Sequence, residues 1–137
     1  MHRLRKVRLR VALGLVVQTH MATPALAWYG NEYIKDTYLK KAIAGEKIGA
    51  IAITEPAGGS DVANISTRAL LEGEDYILNG QKTYITNGVQ ADFFTLIART
   101  DLPNEEQPSF SLFVVPGDAS GVVRSKVLQK TCYPSSD

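Results

Sequence analysis

Between residues 48 and 129 apolar and polar positions alternate in short runs, the period-two pattern of half-buried strands. The runs are Ile48–Thr54, Ser66–Leu71, Tyr76–Leu78, Gln81–Thr86, Phe93–Arg99, Phe110–Val115 and Val122–Gln129. Gly73 and the acidic residues beside it separate the second run from the third. Asn79-Gly80 reads as a two-residue hairpin turn, whose central positions need positive φ. Asn87-Gly88 is another turn, Leu102 to Pro108 a polar loop, and Pro116-Gly117-Asp118 opens a further turn. Short strands at this spacing predict an antiparallel barrel or sandwich.

Upstream the period changes to that of helices. Thr23-Pro24 reads as an N-cap followed by proline at the first helical position, giving a short helix to Tyr29 that Gly30 ends. A second helix starts from an Asn31 cap and runs to about Ala44, with Ile34, Tyr38, Leu39, Ala42 and Ile43 as its apolar stripe. Lys40 and Lys41 suit the negative end of its dipole, and Gly45 terminates it. The expected fold is therefore α+β, two or three helices followed by the β region.

Residues 1–27 imitate a signal peptide, with a basic start, the apolar run Val11–Val17, and Ala25-Leu26-Ala27 shaped like a cleavage site. Gln18-Thr19-His20 interrupts that shape, and the run is too short to span a bilayer. The segment is expected to be retained. Composition adds little else: 137 residues, 45% hydrophobic and 21% charged, describe an ordinary globular chain. The net charge of +1 less the five basic residues between Arg3 and Arg10 leaves −4 on the remainder, which argues against a nucleic-acid partner. Cys132 is the only cysteine, so no internal disulfide forms. His2, His20 and Cys132 are too scattered for a zinc site.

Candidate chemistry lies where the first strand ends. Pro56 stops the ladder after Glu55, and Gly58-Gly59-Ser60-Asp61 follow. Glycines let backbone N–H groups approach a ligand, and serine adds a hydroxyl, so this loop can cradle an anionic or planar cofactor. A polar turn between strands would look the same. The second stretch is Asn79-Gly80-Gln81-Lys82-Thr83-Tyr84-Ile85-Thr86-Asn87-Gly88. Thr54-Glu55-Pro56, then Gly59-Ser60-Asp61, followed by this second stretch, resembles the middle domain of the acyl-CoA dehydrogenases. The resemblance runs from about Thr19 to the C-terminus.

That resemblance implies a division into an unassigned segment 1–18, a helical segment 19–46 from the end of an N-terminal helical domain, and an incomplete β middle domain 47–137. It implies FAD-dependent oxidation of acyl-CoA thioesters to 2,3-enoyl-CoA, with an electron-transferring flavoprotein or another acceptor downstream. It also implies a homo-oligomeric parent, placed in the cytoplasm or, in a eukaryote, the mitochondrial matrix, with no membrane span. Carried over by position, the backbone of Ile51 and Ile53 and the Thr54 hydroxyl would serve the flavin's polar edge. Gly59 and Ser60 match the turn at the pyrophosphate and acyl-CoA, and Tyr84, Ile85 and Thr86 match a tripeptide covering the flavin. Tyr84 stands where the family usually has tryptophan. The family's catalytic base is a glutamate of a C-terminal bundle that nothing in this chain matches.

Blander readings exist for several of these residues. Thr54 and Thr86 would also suit plain strand positions. Lys82 and Arg99 read as strand charges facing water. Glu55, held before proline, reads as a structural acceptor for backbone donors rather than a catalytic carboxylate. Two other readings of the whole remain at this point: an acyl-CoA oxidase-like relative, and a non-enzymatic β-barrel binding module without flavin.

Overall fold

The structure, a computed structural model, describes residues 13–100 and 109–125. Helix α1 takes in the described residues 13–17 and continues as the π-helical turn Gln18–Ala22. Helix α2 is Pro24–Tyr29, with the bounds its sequence predicts and proline at its start. Thr23 caps it in a different way from the expected one. Its hydroxyl turns back to donate to the Gln18 carbonyl at 2.8 Å and makes no side-chain bond to the new helix.

Helix α3 is one rod made of α-helical Glu32–Ile34, π-helical Lys35–Leu39 and α-helical Lys40–Ile43. The Asn31 side chain accepts the Ile34 N–H at 2.9 Å, the N-cap bond that the sequence predicts. Gly45, at φ +79°, follows its end. Tyr38 and Ala42 are buried and Ile34 and Leu39 pack beside them, whereas Ile43 is 76% exposed and drops out of the stripe. The π-turn widens the helix and shifts its later positions around the axis, so a strict 3.6-residue stripe overruns at its end.

The strands are β1 (Gly49–Ala52), β2 (Arg68–Glu72), β3 (Asp75–Asn79), β4 (Phe93–Arg99) and β5 (Phe110–Pro116). β4 is central. β5 pairs antiparallel along one edge of it, from Phe93↔Pro116 to Arg99↔Phe110. On the other edge β1 pairs parallel with the first half, and β2 touches the far end at Arg68↔Arg99, also parallel. The helix-plus-sheet class holds, but the sheet is mixed and, among the described residues, open rather than an antiparallel barrel. Alternation in a sequence reports a half-buried strand and is blind to the direction of its partner.

Phe93 is the centre of the core. Its ring meets Tyr38 at 5.3 Å between centroids, and Leu26 and Ala42 close around it. Thr95, two residues along and 1% exposed, donates its hydroxyl to the Ala22 carbonyl at 2.6 Å. These contacts seat the helices on one face of the sheet and leave β1's outer edge for other partners.

One expected hairpin and one expected strand are not formed among the described residues. The hairpin β2–β3 turns at Gly73-Glu74, with Gly73 at φ +65° and Glu72 paired with Asp75. Asn79-Gly80 therefore makes no hairpin, and neither residue has positive φ. The stretch 81–86 forms no strand, because Tyr84 takes φ +56° and breaks the extended path. Residues 122–125 are irregular, while 126–129 and the expected loop Leu102 to Pro108 lie outside the described residues.

Candidate functional site

The chain that leaves β1 bulges away from β4 and returns to the same edge as β2. At the mouth of this bulge sits Glu55. Its carboxylate accepts the N–H of Ser66 at 2.7 Å, the N–H of Thr67 at 2.9 Å and both of their hydroxyls. Lys82 donates to it at 2.9 Å, with the two side chains only 3% and 8% exposed. Burial works to raise the Glu55 pKa, but the hydrogen bonds from Lys82, Ser66 and Thr67 outweigh it and hold the carboxyl far below the usual range. Glu55 is thus an anion held by five donors, the structural acceptor that its place before proline suggests.

Lys82 is a correction to the sequence reading. It does not face water; it reaches inward, and besides Glu55 it donates to the Ile53 carbonyl at 3.0 Å. The next residue, Thr83, donates its N–H to the Thr54 carbonyl at 2.8 Å. Further along, Asn87 at φ +68° is buried and donates its amide to the carbonyls of Gly49 at 3.4 Å and Gly14 at 3.2 Å. Asparagine is among the few side chains that accept this backbone region readily. Residues 82–87 therefore run along β1's outer edge in the opposite direction, gripping it at both ends.

The pleat decides what lies between the grips. The Ile48 carbonyl faces β4, accepting Asp92 N–H at 2.7 Å. Backbone groups in a parallel ladder alternate between edges, so Gly49, Ile51 and Ile53 face outward. The observed partners agree: Gly49 N–H meets the Gln18 side chain at 3.4 Å, and the Gly49 and Ile53 carbonyls meet Asn87 and Lys82. By the same alternation Ile51 faces that edge between them.

The remaining sequence candidates cluster around this edge. Thr54 is half-buried at the strand's exit. Gly59 and Ser60 are exposed on the bulge. A Cβ at Gly59 would stand 2.9 Å from the Thr54 methyl and 3.3 Å from its hydroxyl, so the loop backbone lies close against the Thr54 side chain, which would have to shift to admit one. Tyr84 is 69% exposed in its left-handed conformation, and Ile85 and Thr86 are half-buried. Sequence reasoning missed Lys82, Asn87 and Gln18. Their partners lie 24 to 73 residues away in the chain, and no local spacing announces such pairings.

Outward-facing backbone groups of β1, the Thr54 hydroxyl at its exit and the Gly59 loop thus lie along one edge of the sheet, beside the segment 82–87. The chain belongs to the acyl-CoA dehydrogenase family: the family profile "Acyl-CoA dehydrogenase, middle domain" matches residues 50–137. It is 40% identical over 121 residues to mitochondrial isovaleryl-CoA dehydrogenase of Pongo abelii, covering 88% of this chain and 29% of that protein. It is also similar to the crystal structure of an acyl-CoA dehydrogenase from Geobacillus kaustophilus, with 43% identity, a TM-score of 0.87, and coverage of 98% of this chain and 35% of that one. A glutaryl-CoA dehydrogenase of Mycobacterium smegmatis, solved in complex with FADH2, shares 35% identity and a TM-score of 0.82, over 90% of this chain and 31% of that one. The chain spans about three-tenths of the length of the curated relatives it matches.

Proposed function

We propose that this chain supplies the flavin-side wall of an FAD-dependent enzyme that oxidises acyl-CoA thioesters to their 2,3-enoyl products. The observation that carries this is the gripped edge of β1, where Ile51, Thr54 and the Gly59 loop meet the segment Lys82–Asn87. The residues fit the group. Ile51 offers an outward N–H and carbonyl on a rigid strand, and the Thr54 hydroxyl lies at its end. The Ile53 carbonyl already accepts Lys82, so Ile51 is the edge residue best placed for the polar rim of the ring. Gly59 and Ser60 present backbone and hydroxyl donors suited to a pyrophosphate and to the adjoining thioester substrate. Tyr84, Ile85 and Thr86 supply an aromatic, an aliphatic and a hydroxyl cover.

When bound, FAD supplies the oxidising power, taking up the two electrons and the hydrogen that leave the acyl chain. The protein's own part is orientation and charge. Hydroxyl and N–H donors on one rim favour a negatively charged reduced cofactor. The wider reading follows the family: an electron-transferring flavoprotein or comparable acceptor, a homo-oligomeric parent, and residence in the cytoplasm or mitochondrial matrix. Among the described residues no helix is long and apolar enough to cross a membrane, and no acidic, histidine or cysteine cluster forms a metal site.

Titrating the purified chain with FAD and following flavin fluorescence and visible absorption tests the reading. Quenching and a shifted flavin spectrum are expected. Thr54→Val and Ser60→Ala should each weaken binding about fivefold to tenfold, the loss of one hydrogen bond worth about 1–1.5 kcal/mol. A chain that leaves FAD fluorescence unchanged would instead support the binding module without flavin.

A further inference from the structure

The bulge that carries Gly59 and Ser60 has little to hold it. Residues 56–64 are all exposed, and Ile65 is the first to be buried again. Inside the bulge the backbone makes a reciprocal pair between Glu55 and Gly58, and a single 3-10 turn at Val62–Asn64. An exposed loop with so few internal contacts takes its position from its two ends. Both ends converge on one carboxylate, since Glu55 is the exit residue and Ser66 and Thr67 are the return.

We propose that Lys82, acting through Glu55, is a positioning residue for the cofactor site. Its ammonium ties together the end of β1, the mouth of the Gly59 loop and the segment that carries Tyr84 to Thr86. The Ser66 and Thr67 donors are neutral, and neutral donors alone are a poor home for a buried carboxylate. Without Lys82 the Glu55 side chain has reason to swing to water, which frees Ser66 N–H and Thr67 N–H and opens the mouth. The Ile53 carbonyl loses its partner in the same step. A lysine suits this junction because its compact head places three donors in different directions, whereas a planar guanidinium is built for one fork. The geometry stands independently; its consequence for FAD rests on the functional reading above.

The test uses the 137-residue chain and two variants, Lys82→Met and the double Glu55→Gln/Lys82→Met. The double variant leaves no unpaired charge buried, so it remains folded if the single one does not. Hydrogen exchange is followed at the amides of Gly58, Ser66 and Thr67, with Thr95 and Ile97 of β4 as the internal reference. The expected result is exchange about tenfold faster at the loop mouth with the β4 amides unchanged. FAD binding by the same variants is expected to be about tenfold weaker than that of the unaltered chain. Equal acceleration at the loop and at β4 would overturn the proposal, because Lys82 would then only stabilise the whole fold. Unchanged loop exchange, or faster exchange with FAD binding undiminished, would overturn it while leaving the flavin reading in place. If the unaltered chain binds no FAD, the functional reading falls and takes the cofactor role of Lys82 with it, and exchange still decides whether Lys82 holds the loop.

Discussion

Glu55 shows how burial and charge settle a residue's role. A carboxylate with five donors and almost no exposure is stabilised as an anion, and removing a proton from substrate is the one thing such an anion does badly. Its folded pKa lies below the unfolded value. The stability it contributes is therefore complete above the ordinary glutamate range of about 4.3 and is lost as the pH falls toward the depressed folded value. Glu55→Gln presents an amide to donors and leaves Lys82 buried without a counter-ion. At pH 7 it should cost about 3–5 kcal/mol in a urea titration. The gap to the unaltered chain should narrow as the pH is lowered below about 4, and a gap independent of pH would show that the charge contributes nothing.

At the scale of elements, what was legible was local and what was missed was long-range. The α2 bounds, the Asn31 cap, the span of β4 and the turn after Glu72 follow from residues within a few positions of one another. The direction of β1 against β4 does not, and neither does the path of residues 81–86, which depends on Lys82 finding Glu55 across 27 residues. Gly80 carries the clearest lesson. Read as a turn glycine, it is one of close approach: a Cβ there would stand 2.7 Å from the Thr67 Cα. Gly80→Ala should therefore destabilise by about 1–3 kcal/mol, as overpacking against backbone does. Gly58→Ala, with nothing within 4 Å of its Cβ and no positive φ, should stay within about 0.5 kcal/mol. Thermal or urea melts of the two variants separate close approach from turn geometry, and equal losses would refute the distinction. The site residues were legible as a set only through the resemblance, since Thr54, Ser60 and Thr86 are ordinary strand and loop residues one at a time.

At the scale of the whole chain, the N-terminal helices and the sheet are one packed body. The Gln18 side chain donates to the carbonyls of Ala42 and Lys47 at 2.8 and 3.2 Å and accepts from Gly49, joining α1 to the end of α3 and the start of β1. Val17, Ala22 and Leu26 are buried. Cleavage after Ala27 would strip all of these and leave the Thr95 hydroxyl buried without its acceptor. Mass spectrometry of the expressed protein should therefore find residues 13–27 retained, and a new terminus at Trp28 would refute this. The same view of the whole bears on catalysis. Drawing a proton from the carbon beside a thioester needs a carboxylate within hydrogen-bond reach of it, and the thioester oxygen polarised by donors on its other side. The described carboxylates near the candidate site are already committed: Glu55 to its five donors, and Asp61 to the Asn64 side chain on an exposed loop. Glu72, Glu74 and Asp75 sit at the exposed β2–β3 turn, at the other end of the strand from the Arg68↔Arg99 contact. The isolated 137 residues should accordingly show no turnover of acyl-CoA with added FAD and an artificial electron acceptor, even where FAD binds. Turnover that Glu55→Gln abolishes, with the variant still folded by circular dichroism, would mean that the buried anion is the base after all.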